Sequence, residues 1–118
     1  MTYDAENVFA KIINGELQCA KIYEDDNVIA FNDIAPAAPV HILVIPKGEY
    51  TSFNDFVQKA ELEKVGSFFR IVQDLAASAG LVEGGYRLIT NHGKNASQSV
   101  AHFHVHILGG KQLGALLP

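Results

Sequence analysis

Apolar positions along the chain follow two rhythms, one helical and one alternating. Val8, Phe9, Ile12 and Ile13 recur at helical spacing, which predicts a short helix capped by Asp4 and ended by Gly15. Lys21–Glu24 and Val28–Asn32 read as two short strands joined through the turn-rich Asp25-Asp26-Asn27. Pro36 and Pro39 bracket a loop, and Val40–Ile45 is a run of strand formers closed by Pro46. Over 60–79, Leu62, Val65, Phe69, Val72 and Ala76 recur every three or four positions, with Phe68 and Leu75 widening the stripe, so one long helix is predicted, stopped by Gly80. Gly84-Gly85 leads into a fourth strand over Tyr86–Asn91. A Gly, Asn and Ser-rich loop spans His92–Ser99, and a fifth strand covers Val100–Leu108 before Gly109-Gly110. Strands and helices are segregated rather than alternating. That order argues an α+β fold with an antiparallel sheet.

Composition narrows the class of partner. The chain has 118 residues, one domain's worth, and its 48% hydrophobic content supports a packed core. Its net charge of −4 and 9 Lys+Arg give no basic surplus for nucleic acid. The single cysteine, Cys19, can form no intramolecular disulfide and is expected to be a small half-buried thiol. No basic start followed by an apolar run suggests a signal peptide, and no apolar run approaches a membrane span of ~18 residues. A soluble protein of a reducing cytoplasm is the expectation. Charge is unevenly placed: residues 1–90 hold all 13 acids, whereas 91–118 hold Lys94, Lys111, four histidines and no acid. The end of the chain therefore suits a negative ligand.

The candidate chemistry lies in His102-Phe103-His104-Val105-His106-Ile107-Leu108. In a strand, side chains alternate between faces, so His102, His104 and His106 share one face while Phe103, Val105 and Ile107 point into the core. Three imidazoles at strict alternation, about 7 Å apart from one to the next, serve either metal ligation or acid–base and nucleophilic chemistry. A metal site calls for carboxylates holding each ring, and residues 91–118 supply none. Attack on phosphorus calls for a neutral imidazole, a partner fixing its tautomer, and donors for phosphoryl oxygens. Asn91, Gln98 and Ser99 offer such donors, which weighs toward chemistry without closing the metal reading.

The run Gln98-Ser99-Val100-Ala101-His102-Phe103-His104-Val105-His106-Ile107-Leu108-Gly109-Gly110 resembles the signature of the histidine-triad (HIT) family in its Hint branch. Phe9–Ile13, Glu24–Asp26, Ala30–Pro36, Pro39–Lys47 and Gly85–Leu88 match further upstream, so the resemblance covers about residues 6–112. It implies a single HIT domain over 1–118, with a five-stranded antiparallel sheet, one long and one short helix, and a sheet continued across a homodimer. It also implies a purine nucleotide substrate, no cofactor and no metal in the site. Hint-branch proteins are nucleoside phosphoramidases, releasing a nucleoside monophosphate and an amine. Another branch hydrolyses dinucleoside polyphosphates, and a binding module with weak turnover is the non-enzyme alternative.

Carried residue by residue, the resemblance makes His104 the nucleophile on the α-phosphorus, with His102, His106 and His41 holding and polarising the site and Ser99 assisting the leaving group. Asp33 resembles the residue that binds the ribose hydroxyls. Phe9, Leu17, Phe31 and Ile34 would line the base pocket, Asn91 and Ser99 would contact the phosphate region, and Gln98, a donor of the same loop, is a further nucleotide-binding candidate. His92 matches no family position. Gln18-Cys19 and Gly48-Glu49-Tyr50 depart from the pattern, and apolar residues stand where some bacterial relatives carry zinc-binding cysteines, so no zinc is expected. Phe68, Phe69 and Leu81, with Leu113, Leu116 and Leu117 of the tail, offer more apolar surface than one sheet face can cover. A homodimer through the long helix and the chain end is therefore expected, with the tail near the partner's histidines.

Overall fold

The computed structural model describes residues 2–116. Its elements are α1 (Val8–Ile13), β1 (Ala20–Glu24), β2 (Val28–Asn32), β3 (Val40–Pro46), α2 (Phe53–Lys59), α3 (Leu62–Ser78), β4 (Tyr86–Ile89) and β5 (Val105–Gly109). The five strands form one antiparallel sheet in the order β1-β2-β3-β5-β4. No helix among the described residues is long and apolar enough to cross a membrane.

The central position of β3 explains its near-continuous apolar run, since both of its faces are covered. Ile42 and Val44 join Val28, Ala30, Val105 and Ile107 on one face, beneath Phe68, Val72 and Ala76 of α3. Leu43 and Ile45 join Ile29 and Phe31 on the other, beneath Phe9 of α1. Between α2, α3 and the sheet, Phe56 stacks on Phe103 with ring centroids 4.9 Å apart, and Phe68 meets both. Gly80 ends α3 at φ +76, a left-handed conformation that a side chain would penalise.

Several element boundaries differ from those read in the sequence. Asn7, not Asp4, caps α1, its side chain accepting from the Ala10 amide at 2.9 Å; the Asp4 carboxylate instead accepts from the Glu6 amide. The helix expected over 60–79 begins at Leu62, which is 84% exposed, and a separate α2 precedes it. Ser52 caps α2 by accepting from the Asp55 amide, and the extended backbone at Ala60 divides the two helices. Ala20 belongs to the first strand, and Pro46 is the last residue of the third.

The fourth and fifth strands are both shorter than expected. Thr90 leaves the ladder, and its hydroxyl donates to the His104 carbonyl at 2.8 Å. The fifth strand begins at Val105 rather than Val100, so His102 and His104 precede it. Phe68 and Leu81 are not spare apolar surface: they are 1% and 3% exposed, within the core. Leu117 lies outside the described residues.

Candidate active site

His41 and His106 come together because β3 and β5 are neighbours, with His106 opposite Leu43 and His41 opposite Leu108. Opposed residues of an antiparallel pair share a face, so both imidazoles lie on the α1 side. The loop bracketed by Pro36 and Pro39 turns the Ala37 amide onto His41 Nδ1 at 3.0 Å. That nitrogen accepts, so the proton of neutral His41 is on Nε2, which donates to His106 Nδ1 at 2.9 Å. With Nδ1 accepting, His106 carries its own proton on Nε2. The two rings thus form a directed relay from the Ala37 amide toward the nitrogen at its far end.

His104 has the opposite polarity. Its Nδ1 lies 2.7 Å from the His102 carbonyl, an acceptor only, so Nδ1 carries the proton and Nε2 keeps its lone pair. His102 is fully buried, and its Nε2 donates to the Pro46 carbonyl at 2.7 Å. Its Nδ1 then accepts from the Tyr3 hydroxyl, also at 2.7 Å. The Phe9 ring stands edge-on to His104 with centroids 4.9 Å apart.

Burial disfavours the protonated form of all three rings. It pushes His102 down to about 4. Burial, reinforced by the neighbouring His104 and His41, takes His106 to about 4 as well. His104 is lowered by burial, against the opposing pull of its bond to the His102 carbonyl and of the Asp33 carboxylate. At pH 7 the triad is neutral, and the free His104 lone pair is available.

These groups open onto a cavity of about 760 Å³. Phe9, Leu17, Phe31, Asp33, Ile34, Ser99, His104 and His106 line it, with Val8, Ile12, Gln18, Cys19, Ala20, Asn32 and Leu43. His41 and His102 stand behind the wall rather than in it. Ile34 is fully exposed at the rim, and Leu17 is 43% exposed. The Asp33 carboxylate accepts from the Ala35 amide at 2.8 Å through Oδ1, while Oδ2 lies 3.4 Å from His41 Nε2. Cys19 is half-buried in the cavity wall.

Two residues expected near phosphate are engaged elsewhere. The Asn91 amide donates to the Ala96 carbonyl at 2.9 Å, and the Gln98 amide donates to the Thr51 and Val100 carbonyls while accepting from the Gly93 amide. Neither side chain lines the cavity; both fold the loop that presents Ser99. His92 is exposed on that loop. Val8 and Ile12, legible in the sequence only as a helix face, also form cavity wall. Tyr3 carried no local signal, because its contact spans 99 positions.

Nitrogen and oxygen atoms of Asp33, His41 and His106 lie within 4.8 Å of one another, a spacing that could hold a cation. The hydrogen bonding argues otherwise. His41 Nε2 and His106 Nδ1 face each other across one shared proton, so their lone-pair directions do not converge on a third point. A cation there would have to displace that proton and turn both rings.

The HIT domain model matches residues 14–113, most of the chain. An uncharacterised HIT-like protein of Rickettsia prowazekii is 53% identical over 115 residues, 98% of this chain and 96% of that protein. A purine nucleoside phosphoramidase of Escherichia coli K12 is 41% identical over 112 residues, covering 95% of this chain and 93% of its own length. Among solved structures, a histidine triad protein from Clostridium difficile superposes with TM-score 0.86 at 42% identity, covering 97% of this chain and 98% of that one. A HIT family hydrolase from Legionella pneumophila superposes with TM-score 0.85 at 40% identity, covering 91% and 95%. The chain belongs to the histidine-triad family.

Proposed function

We propose that this protein hydrolyses purine nucleoside 5′-phosphoramidates to a nucleoside monophosphate and an amine through a nucleotidyl-His104 intermediate. The observation that carries this reading is the His104 ring: neutral at pH 7, with Nδ1–H committed to the His102 carbonyl and the opposite nitrogen free. The phosphoramidase named in E. coli, at 41% identity, supports the choice of substrate.

In the proposed sequence, His104 Nε2 forms a bond to the α-phosphorus as the P–N bond breaks. The electron pair leaves with the amine nitrogen, which takes the Ser99 hydroxyl proton as that hydroxyl regains one from solvent. The ring becomes cationic, and its Nδ1–H bond to the His102 carbonyl strengthens as charge develops. His106 Nε2–H, at the end of the relay from His41, donates to a non-bridging phosphoryl oxygen. Water then attacks phosphorus, the P–Nε2 bond breaks with its electron pair returning to the ring, and the proton lost by the water passes to solvent, which leaves His104 neutral. Asp33 receives the ribose hydroxyls, and Phe9, Leu17, Phe31 and Ile34 receive the base. Splitting one displacement into two lowers each barrier.

The test is a parallel assay of adenosine 5′-phosphoramidate and a diadenosine polyphosphate, with acid-quenched or denatured enzyme analysed for adenylate bound to histidine. Faster turnover of the phosphoramidate with label on His104 is expected. Preference for the dinucleotide would reassign the substrate class, and nucleotide binding without turnover of either would leave a binding module.

A further inference from the structure

The segment that carries the nucleophile is not held by the sheet. β5 begins at Val105, so residues 102–104 lack the ladder bonds to β3 that fix His106. Yet the His102 carbonyl must stay in place, because it alone sets which nitrogen of His104 bears the proton. The Thr90 hydroxyl holds its far end at the His104 carbonyl, and three contacts hold residues 102 and 103. The Phe103 amide donates to the Tyr50 carbonyl at 2.8 Å, and the His102 ring is anchored at both nitrogens, by the Pro46 carbonyl on one side and the Tyr3 hydroxyl on the other.

Of these, Tyr3 is the contact from farthest along the chain, 99 positions from His102. It lies in the arm before α1, and its ring meets His102 edge-on with centroids 5.5 Å apart. Phe9 of α1 meets the same ring from another direction, at 6.2 Å, and also touches His104. His102 is wholly out of solvent, so water cannot readily replace a lost donor on Nδ1. Without that donor the ring keeps only its Pro46 bond as a pivot, and residue 102 gains freedom to swing. The carbonyl moves with it.

We propose that Tyr3 is a positioning residue of the active site: its hydroxyl locks the His102 ring, and through the His102 carbonyl it fixes the tautomer and aim of His104. The arm before α1 is thereby part of the catalytic apparatus, although it lines no part of the cavity. The effect on turnover rests on the hydrolase reading above, but the coupling from Tyr3 to His104 does not.

The test compares wild type with Tyr3→Phe, which keeps the ring and removes only the hydroxyl, and with Tyr3→Leu, which removes the aromatic contact as well. Two readouts are needed: steady-state kinetics on adenosine 5′-phosphoramidate, and ring-nitrogen NMR of 15N-histidine-labelled protein without substrate. In Tyr3→Phe we expect kcat to fall about fivefold, in line with one lost hydrogen bond, at nearly constant KM. The His102 Nδ1 resonance should shift, and the two nitrogens of His104 should move toward each other as its tautomer preference relaxes. Tyr3→Leu should deepen both effects. Unmoved His104 nitrogens in Tyr3→Phe, or a change in KM alone, would overturn the proposal. A wild-type chain inert to phosphoramidates would count against the hydrolase reading, and the ring-nitrogen comparison would still decide the role of Tyr3.

Discussion

At the scale of single residues, the site depends on which nitrogen carries a proton, and neutrality of the rings follows from burial. Replacing His104 by Ala removes the lone pair but leaves the apolar cavity and Asp33. Turnover should vanish while nucleotide affinity, measured by calorimetry, changes little; retained turnover would exclude His104 as nucleophile. Asp33→Ala should weaken ribonucleotides by about 1.5–3 kcal/mol relative to 2′,3′-dideoxy analogues, since only the former offer hydroxyls to the carboxylate. An equal loss for both would reduce Asp33 to its turn, where Oδ1 accepts from Ala35. Acid should act with a defined sign. His102 and His106 titrate from the usual 6.5 in the unfolded chain to about 4 in the fold, and His104 is lowered too. Below 6.5 the unfolded state binds protons that the folded rings refuse, so stability falls as pH drops toward 4, and His102 and His106 contribute no further change below that. Denaturant melts between pH 7 and about 5, above most carboxylate titrations, should show this decline. The acid limb of kcat/KM should lie below the usual imidazole value of 6.5, because burial lowers His104 and so keeps its lone pair available at a lower pH than in a free ring.

At the scale of elements, legibility followed locality. The alternation at His102, His104 and His106 was readable, and it placed the rings on the right side even though the strand begins only at Val105. Phe103 still points to the opposite face, against Phe56 and Phe68. Helix α2 was missed because its seven residues span two turns, too few for a period to register, although Ser52 three places before Asp55 was a capping signal. The true partners of Asn91 and Gln98 are loop carbonyls, one of them 47 positions away at Thr51, and no spacing rule reaches that far. Asp4 looked like a cap by residue type, but Asn7 stands next to the first helical residue and takes the role. The end of β5 offers a test of element packing. Gly110 sits at φ +93, and a Cβ there would meet Pro39 Cβ at 3.0 Å. Gly110→Ala should therefore cost about 1–3 kcal/mol in a denaturant titration, from left-handed strain and the clash together. Since Pro39 belongs to the loop that turns Ala37 onto His41, turnover should fall in the same variant.

At the scale of the molecule, two sheet edges, β1 and β4, have no strand partner among the described residues, and a set of apolar side chains lies exposed near β4. β4 pairs only with β5, and its outer edge has no partner among the described residues. By contrast β1, the opposite edge, carries a bulge between Lys21 and Tyr23, a device that discourages further pairing. Leu88 on β4 is 46% exposed, Val82 just before it 62%, and Leu116 of the tail 66%. The tail runs past this same edge, pinned where Arg87 donates to the Gly114 carbonyl at 2.9 Å. An open strand edge flanked by exposed leucines and a valine is a surface that a second copy can cover by two-fold pairing, β4 against β4. We therefore expect a homodimer with β4 at its centre, rather than one built on Phe68 and Leu81. Sedimentation at micromolar concentration should show the dimer, and Leu88→Lys should shift it toward monomer without unfolding the chain. A wild-type monomer under those conditions would remove this expectation. If the edge pairs as described, the tail of each protomer is carried toward its partner. Deleting residues 113–118 should then alter relative rates among phosphoramidates with different amines, while affinity for the nucleoside monophosphate stays within about twofold. An unchanged amine profile in that deletion would place the tail outside the site.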